Sequence, residues 1–567
     1  ATAFGDKESE WSAIVSAQTP KNPAAVKDIA TAQAWIEFIT GDYISSATDT
    51  ADDVITLTAD LDFAGVEYPA GAEFRGVING NGKTIKNLVS SVPMFKSVTS
   101  VKDLTFDASC SLTATVDGKY AMVAEVSKGL ISNIVNNANV TVNLAAAPDP
   151  SAPLIAAAIV AEAEGDVVNC TNNGAVTINS SVGLEASLAA GICGYASTKV
   201  TGCTNNGKVS QNSTHYIVKT WCTYKDVAKV PQHTGGIAAM TKVESVIENC
   251  TNNGNVVLNM SAIEKIGQSA GTNRIRIGGI AAAPKGDIIG CTNKGKVECY
   301  ARTSDRSAMT VATAALSADG KTSKNYSVSP GGITGGAYDT GNASDVGMDV
   351  INCVNEGEII VDADVDGNNS TVGGIVSHPG QESASNTNIM ENCINRGNIT
   401  VTGKGLFRIG GINGGIGNVV GCENYGVLTL ATTTKAGSSV AGIAGYMNNT
   451  NKFENNKNYG DVIVESELAH SVSGLIGGVG NTNKATYGKG CVVKCNVRPN
   501  EASIPKAGMV LGVSGTTANP EPNFGTADSP IKVSGSFNGT AIDASNVETT
   551  AKGSSATQGV MYVVFGE

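Results

Sequence analysis

The sequence predicts an all-β chain: a right-handed parallel β-helix with an N-terminal capping helix and a C-terminal β cap. Three observations carry this. A Cys-Thr-Asn-Asn-Gly string opens at Cys170 and recurs at Cys203 and Cys250, becoming CTNKG at Cys291, CVNEG at Cys353, CINRG at Cys393 and CENYG at Cys422. Each copy runs into an alternating stretch such as GNVVLNM, GEIIVDA or GDVIVES. Each is preceded by a small-residue string, among them AGICG, GGIAA, GGITG and AGIAG. Such self-similarity marks a solenoid, whose stacked repeats bury one continuous core.

Composition agrees. The 567 residues include 67 Gly, with 41% hydrophobic but only 5% aromatic. So few large rings do not suit several separate globular cores, although about 150 residues per domain would suggest three or four. Mean hydropathy near zero, with ample Val, Ile and Leu, excludes a disordered chain. No run of apolar residues is long enough for a membrane-spanning segment. A net charge of −12 and scarce Arg leave no footprint for nucleic acid.

The elements follow in order. Residues 1–50 hold an N-terminal segment and the capping helix. In TAQAWIEFIT, Trp35, Phe38 and Ile39 fall on one helical stripe. That stripe covers the first coil, because an open solenoid end exposes core and unpaired strand edge. Repeats fill 51–498. Val256 and Leu258 alternate with Asn255, Val257 and Asn259, the two-residue period of a strand with one face inward. Gly254, Gly295, Gly357, Gly397, Gly426 and Gly460 mark a corner where a left-handed backbone is expected. The Asn two residues after each anchor, as in Asn172 and Asn252, suits a turn whose amide bonds local backbone or the amide above. Parallel crossovers set the right hand. Leu104, Ile134 and Asn456 anchor weaker copies, and residues 499–567 lose the register and form the cap.

Seven of the 13 cysteines take one inward position on successive coils, where they act as small buried hydrophobes. Stacked strands lie about 4.8 Å apart, further than the Cβ separation that a disulfide prefers. No close CxxC or CxxH spacing suggests zinc.

LTADLDFAG, then FRGVINGNGKTIKNL, then the Gly-Ile and Cys-x-Asn-x-Gly repeats resemble the GLUG-type β-helix surface proteins of Bacteroidota. The likeness runs from about Lys27 to Asn496, with VPMFKSV standing where that family has Gly-Leu-Phe-Gly. It implies an exported, extracellular protein on the cell surface and associated with the outer membrane, commonly a lipoprotein or adhesin, and it transfers no catalytic residue. Asp49-Thr50-Ala51 resembles the short O-glycosylation acceptor of that group.

Chemistry has two candidate seats. Asp362, Asp364 and Asp366 open like a calcium loop, but Gly373 stands where a closing Glu belongs. With Ile359, Val361, Ala363 and Val365 alternating inward, the three Asp read better as a solvated strand face, so no cofactor is expected beyond a possible Ca²⁺ there. The second seat is where the repeat grows, between Gly207 and Ile237, Gly254 and Ile280, and Gly295 and Ile333. Stacking places these insertions side by side. They hold His215, Tyr216, Trp221, Tyr224, His233, Arg274, Arg276, Arg302 and Arg306, and Trp, Tyr and Arg are the residue types that anchor interfaces. A second pair of insertions, 334–349 and 376–391, carries Asp345, Asp349 and His378.

No paired carboxylates on consecutive coils, Ser-His-Asp set or HExxH motif is legible. The expectation is therefore a non-catalytic surface binding or adhesion module for a glycan or a surface protein. Two alternatives stand beside it. One is a polysaccharide lyase or glycoside hydrolase on a β-helix; the other is an accessory surface subunit of an outer-membrane nutrient-uptake complex.

Overall fold

The computed structural model describes residues 26–566, apart from 42–43, 45–50, 70, 147–151, 185, 216–222, 225–226, 229–231, 261–272, 303–325, 338–347, 365–369, 380–387, 434–435, 448–451, 481–485, 515–521 and 555–558. The chain is a parallel β-helix. Strand Val26–Ile29 pairs in parallel with Val54–Leu57, and that strand pairs with Ala72–Lys86. Helix α1 (Ala32–Thr40) sits between the first two strands and is N-capped by Thr31, whose hydroxyl accepts the Ala34 amide at 3.1 Å. Trp35 and Phe38 are buried, and their rings meet Phe95 and Phe74 edge-on at 5.7 and 5.3 Å. The Trp35 indole donates to the Tyr68 hydroxyl at 3.2 Å, so its polar edge is satisfied in the core.

One face of the solenoid holds the strands that follow each corner glycine: Asn139–Leu144, Val176–Gly183, Val209–His215, Val256–Met260, Val297–Ala301, Ile359–Asp364, Ile399–Lys404, Leu428–Thr433 and Val462–Val464. They stack in parallel register, Val140 on Val176 on Val209 on Val256 on Val297. A second face is an 11-stranded parallel sheet running from Lys119–Tyr120 to Ala507–Gly508. Stacking persists beyond 498: Ile531–Phe537 pairs in parallel with Val492–Arg498, and Val563–Phe565 with Ile531–Phe537. In the last core row Val533 is fully buried, whereas Phe565 is 50% exposed.

The seven predicted anchor cysteines are buried, and each sulfur accepts or donates along the stack. The Cys203 amide lies 3.4 Å from Cys250 Sγ, and the Cys250 amide 3.4 Å from Cys291 Sγ. Beside this row runs a continuous amide ladder. Asn136, Asn172, Asn205, Asn252, Asn293, Asn355, Asn395, Asn424 and Asn458 each pass one Nδ2–H to the next Oδ1 at 2.7–2.9 Å, and the ladder ends on Cys495 Sγ. The second Nδ2–H goes to the corner carbonyl, that of Ala138 for Asn136 and of a glycine for the others, 2.8 Å from Asn252 to Gly254. These nine buried amides are thereby satisfied, which makes the ladder a structural asset rather than a cost.

The corner glycines have a different cause from the one expected. Left-handed backbone falls one residue before each anchor, at Asn169, Gly202, Asn249, Gly290, Asn352, Asn392 and Gly421. Gly254 and Gly295 are absent from that region; a Cβ on Gly295 would lie 1.9 Å from the Gly254 carbonyl oxygen of the coil below. Close approach of stacked backbones, not a positive φ, demands glycine there.

Candidate functional site

The outward side of the corner-glycine sheet is the candidate site. Its strands alternate, so Asn143, Asn179, Asn212 and Asn259 share one row on that side, and Thr141, Thr177, Ser210 and Val257 the row beside it, where Ser210 and Val257 are buried. Asn179 Nδ2 donates to Asn143 Oδ1 at 2.9 Å, and Asn212 Nδ2 to Asn179 Oδ1 at 3.0 Å. Unlike the inner ladder, this one faces out: Asn143 is exposed, and Asn179 and Asn212 are half-buried. The four Asn, with Ser181 and the strand ends around them, line an open depression of about 430 Å³. The nine described residues that line it are uncharged.

One coil further the row changes character. Tyr300 stacks on Asn259 and Asp362 on Tyr300. Arg302 holds Asp362 with Nε at 2.9 Å and Nη2 at 2.8 Å from the same carboxylate oxygen, and its guanidinium lies 4.8 Å from the Tyr300 ring centre. Burial and the Glu298 carboxylate raise the Tyr300 phenol, which keeps it a hydrogen-bond donor. Lys296 and Glu358 pair at 2.7 Å, and a bond to that carboxylate raises the lysine. The cations and carboxylates of this sector are thus tied to one another.

Of the predicted interface residues, Arg302 lies on this face at the end of its strand. His215 ends the strand Val209–His215, Arg274 lies in the strand Asn273–Gly278, and Tyr224 belongs to a short antiparallel hairpin, Thr223–Tyr224 with Val227–Ala228. Tyr216, Trp221 and Arg306 lie outside the described residues.

Arg276 corrects the prediction. It is 3% exposed in the 11-stranded sheet and donates to the Ala337 carbonyl at 3.1 Å, so it is no surface anchor. His233 stacks on Arg276 in that sheet and is fully buried; burial, with the Arg276 charge beside it, lowers its pKa well below the usual histidine range. His378 is buried as well, and burial raises the Asp349 carboxyl; Asp345 lies outside the described residues.

The aspartate trio is corrected too. Asp362 serves Arg302, and Asp364 is only 3% exposed, stacked in register on Lys404, so it is not a solvated face residue. Asp366 lies outside the described residues, and among those described no group of three ligating side chains gathers to hold a metal. Asp362 is held by an arginine and Asp364 is buried, so neither stands as an open carboxylate for a calcium cage.

Sequence reading missed three features. The outward Asn row lies on the alternating stretches after the anchors, where the sequence placed Asn259 but not its alignment with Asn143, Asn179 and Asn212. Gln211 breaks the apolar alternation yet is buried, its Nε2 donating to the His233 carbonyl at 2.7 Å and the Thr234 hydroxyl at 3.0 Å. It clamps the two sheets at the coil where the first long insertion leaves. A second apolar core, including Ile155, Leu188, Tyr195 and Met240, packs behind the 11-stranded sheet.

No family model matches the chain, and no curated protein matches it in sequence. A solved structure similar to it is that of a candidate immunoglobulin A1 protease from Bacteroides ovatus. It is 16% identical, covers 67% of this chain and 78% of that chain, and has a TM-score of 0.30. Likeness at that level carries no argument. Among the described residues, no helix is long and apolar enough to cross a membrane.

Proposed function

We propose that the protein is an exported, cell-surface binding module of the GLUG-like β-helix kind, without catalysis, and that its ligand is a glycan held on the outward face of the corner-glycine sheet. The observation that carries this reading is the outward amide ladder Asn143–Asn179–Asn212, which lines an uncharged depression beside the roots of the long insertions. Amides offer a donor and an acceptor side by side, the pairing that vicinal hydroxyls need. The neighbouring carboxylates Glu358 and Asp362 are neutralised in ion pairs, whereas a hydrolase needs two convergent carboxyls on the reacting bond. Placement at the outer membrane rests on the sequence resemblance.

Incubation with a polysaccharide panel tests this reading. Retention of a polysaccharide without new reducing or unsaturated ends is the expected result. Steady appearance of fragments would make the protein an enzyme, and retention of proteins but of no glycan would move the site to the insertions.

A further inference from the structure

We propose that the face from Asn143 to Asn259 binds an uncharged, extended, β-linked glycan laid along the solenoid axis with one ring per coil; this rests on the binding reading above. The first argument is spacing. Stacked strands repeat at about 4.8 Å, and pyranose rings joined through equatorial oxygens at opposite ring positions advance by about the same step. Each ring therefore lies over the next amide of the row, with alternate rings presenting opposite edges because the linkage turns each ring by about half a turn. A helical or kinked glycan would leave the row after one or two rungs.

The second argument is hydrogen-bond accounting. A side-chain amide has two N–H donors and two acceptor lone pairs. In Asn179 one donor goes to Asn143 at 2.9 Å, and one lone pair receives Asn212 at 3.0 Å. One donor and one lone pair remain for a ligand. The ladder bonds also fix the rotamers before any ligand arrives, so little ordering entropy is lost on binding.

Charge is the third argument. The two outward rows across these four coils contain Thr, Ser, Val and Asn alone. None of the described residues that line the depression is a cation. Among these described residues a polyanion would find no cation to repay its desolvation.

Calorimetric titration of the full chain with β-1,4-linked neutral oligosaccharides of two to six rings, and with oligouronates of equal length, tests the assignment. Affinity for the neutral series should climb severalfold per ring to about four rings and then level, with oligouronates at least tenfold weaker. Asn179→Ala and Asn212→Ala should each weaken binding about tenfold or more, that is about 1.4 kcal/mol, with unchanged melting temperature. Asn398→Ala, on the same sheet beyond the depression, should change neither. Equal binding of oligouronates, no dependence on length, or unaltered affinity in both Asn variants would overturn this assignment while leaving a glycan-binding module standing. If no saccharide of any kind bound, both readings would fall.

Discussion

Arg302 and Asp362, 60 residues apart in sequence, are locked across adjacent coils, with two guanidinium nitrogens within 2.9 Å of one carboxylate oxygen. Two features that look separate in the sequence, an arginine-rich insertion and an aspartate run, are therefore one ion pair. Arg302 closes the charged sector that begins where the outward amide row ends.

That pairing governs the calcium question. Titration with Ca²⁺ should give no saturable heat that Asp364→Asn removes. A clear heat lost in that variant would restore the cage. Arg302→Ala should cost about 1 kcal/mol or less, because Arg302 is 41% exposed and solvent screens the pair. Urea melts of both proteins measure it.

The anchor row makes a chemical prediction. Cys170, Cys203, Cys250, Cys291, Cys353, Cys393 and Cys422 should resist alkylation in the native protein and react fully in denaturant. All are buried, and burial raises the Cys393 thiol. Asn456 interrupts the row, its Oδ1 accepting the Cys422 amide at 2.9 Å, and Cys491 resumes it, 3.3 Å from the Asn456 amide. Burial pushes Cys491 up to about 12, so it should behave as an eighth protected thiol. Mass-spectrometric mapping of native labelling at any of these sites would refute the inward stack.

The corner glycines give a steric prediction. Gly295→Ala places a methyl 1.9 Å from the Gly254 carbonyl, so adjacent coils must part. We expect a loss of about 3 kcal/mol, read as a lowered denaturation midpoint. A neutral substitution would mean the coils stack less closely than described.

How much of this was legible depends on what each residue repeats. Cys250 and Asn252 recur on successive coils because their partners are their own copies one rung away, so identity itself carries the signal. The helix stripe of Trp35 and Phe38 was legible for a related reason: a cap has one face to bury. The outward row was not, since its Asn run stops at Asn259 and gives way to Tyr300 and Asp362, changes that solvent tolerates. Arg276 misled because an arginine in an insertion looks exposed, whereas the insertion ends before Asn273–Gly278 enters the sheet. The glycine corner was read correctly in place and wrongly in cause, because sequence shows a missing side chain without showing what would strike it.

A pH prediction follows from His470, which is buried, with Nδ1 accepting the Ser438 amide at 3.2 Å. Burial, with Lys506 nearby, pushes its pKa to about 4, while the unfolded chain titrates near 6.5. Between those values the unfolded state binds the extra proton, so stability should fall as pH drops from about 6.5 to 4 and level below that, by at most about 3 kcal/mol from this group. His233 adds loss in the same direction. His470→Gln should flatten its share of the slope in denaturant melts across this range; an unchanged slope would show that His470 ionises freely in the fold.

The central claim, that the outward amide row is a glycan floor, is tested most directly by a crystal structure of the chain soaked with a neutral β-1,4-linked oligosaccharide. The account predicts continuous sugar density parallel to the solenoid axis, with successive rings over Asn143, Asn179 and Asn212 and their hydroxyls within hydrogen-bond distance of those amides. Sugar density elsewhere on the chain, or cleaved product in place of the intact oligosaccharide, would contradict it.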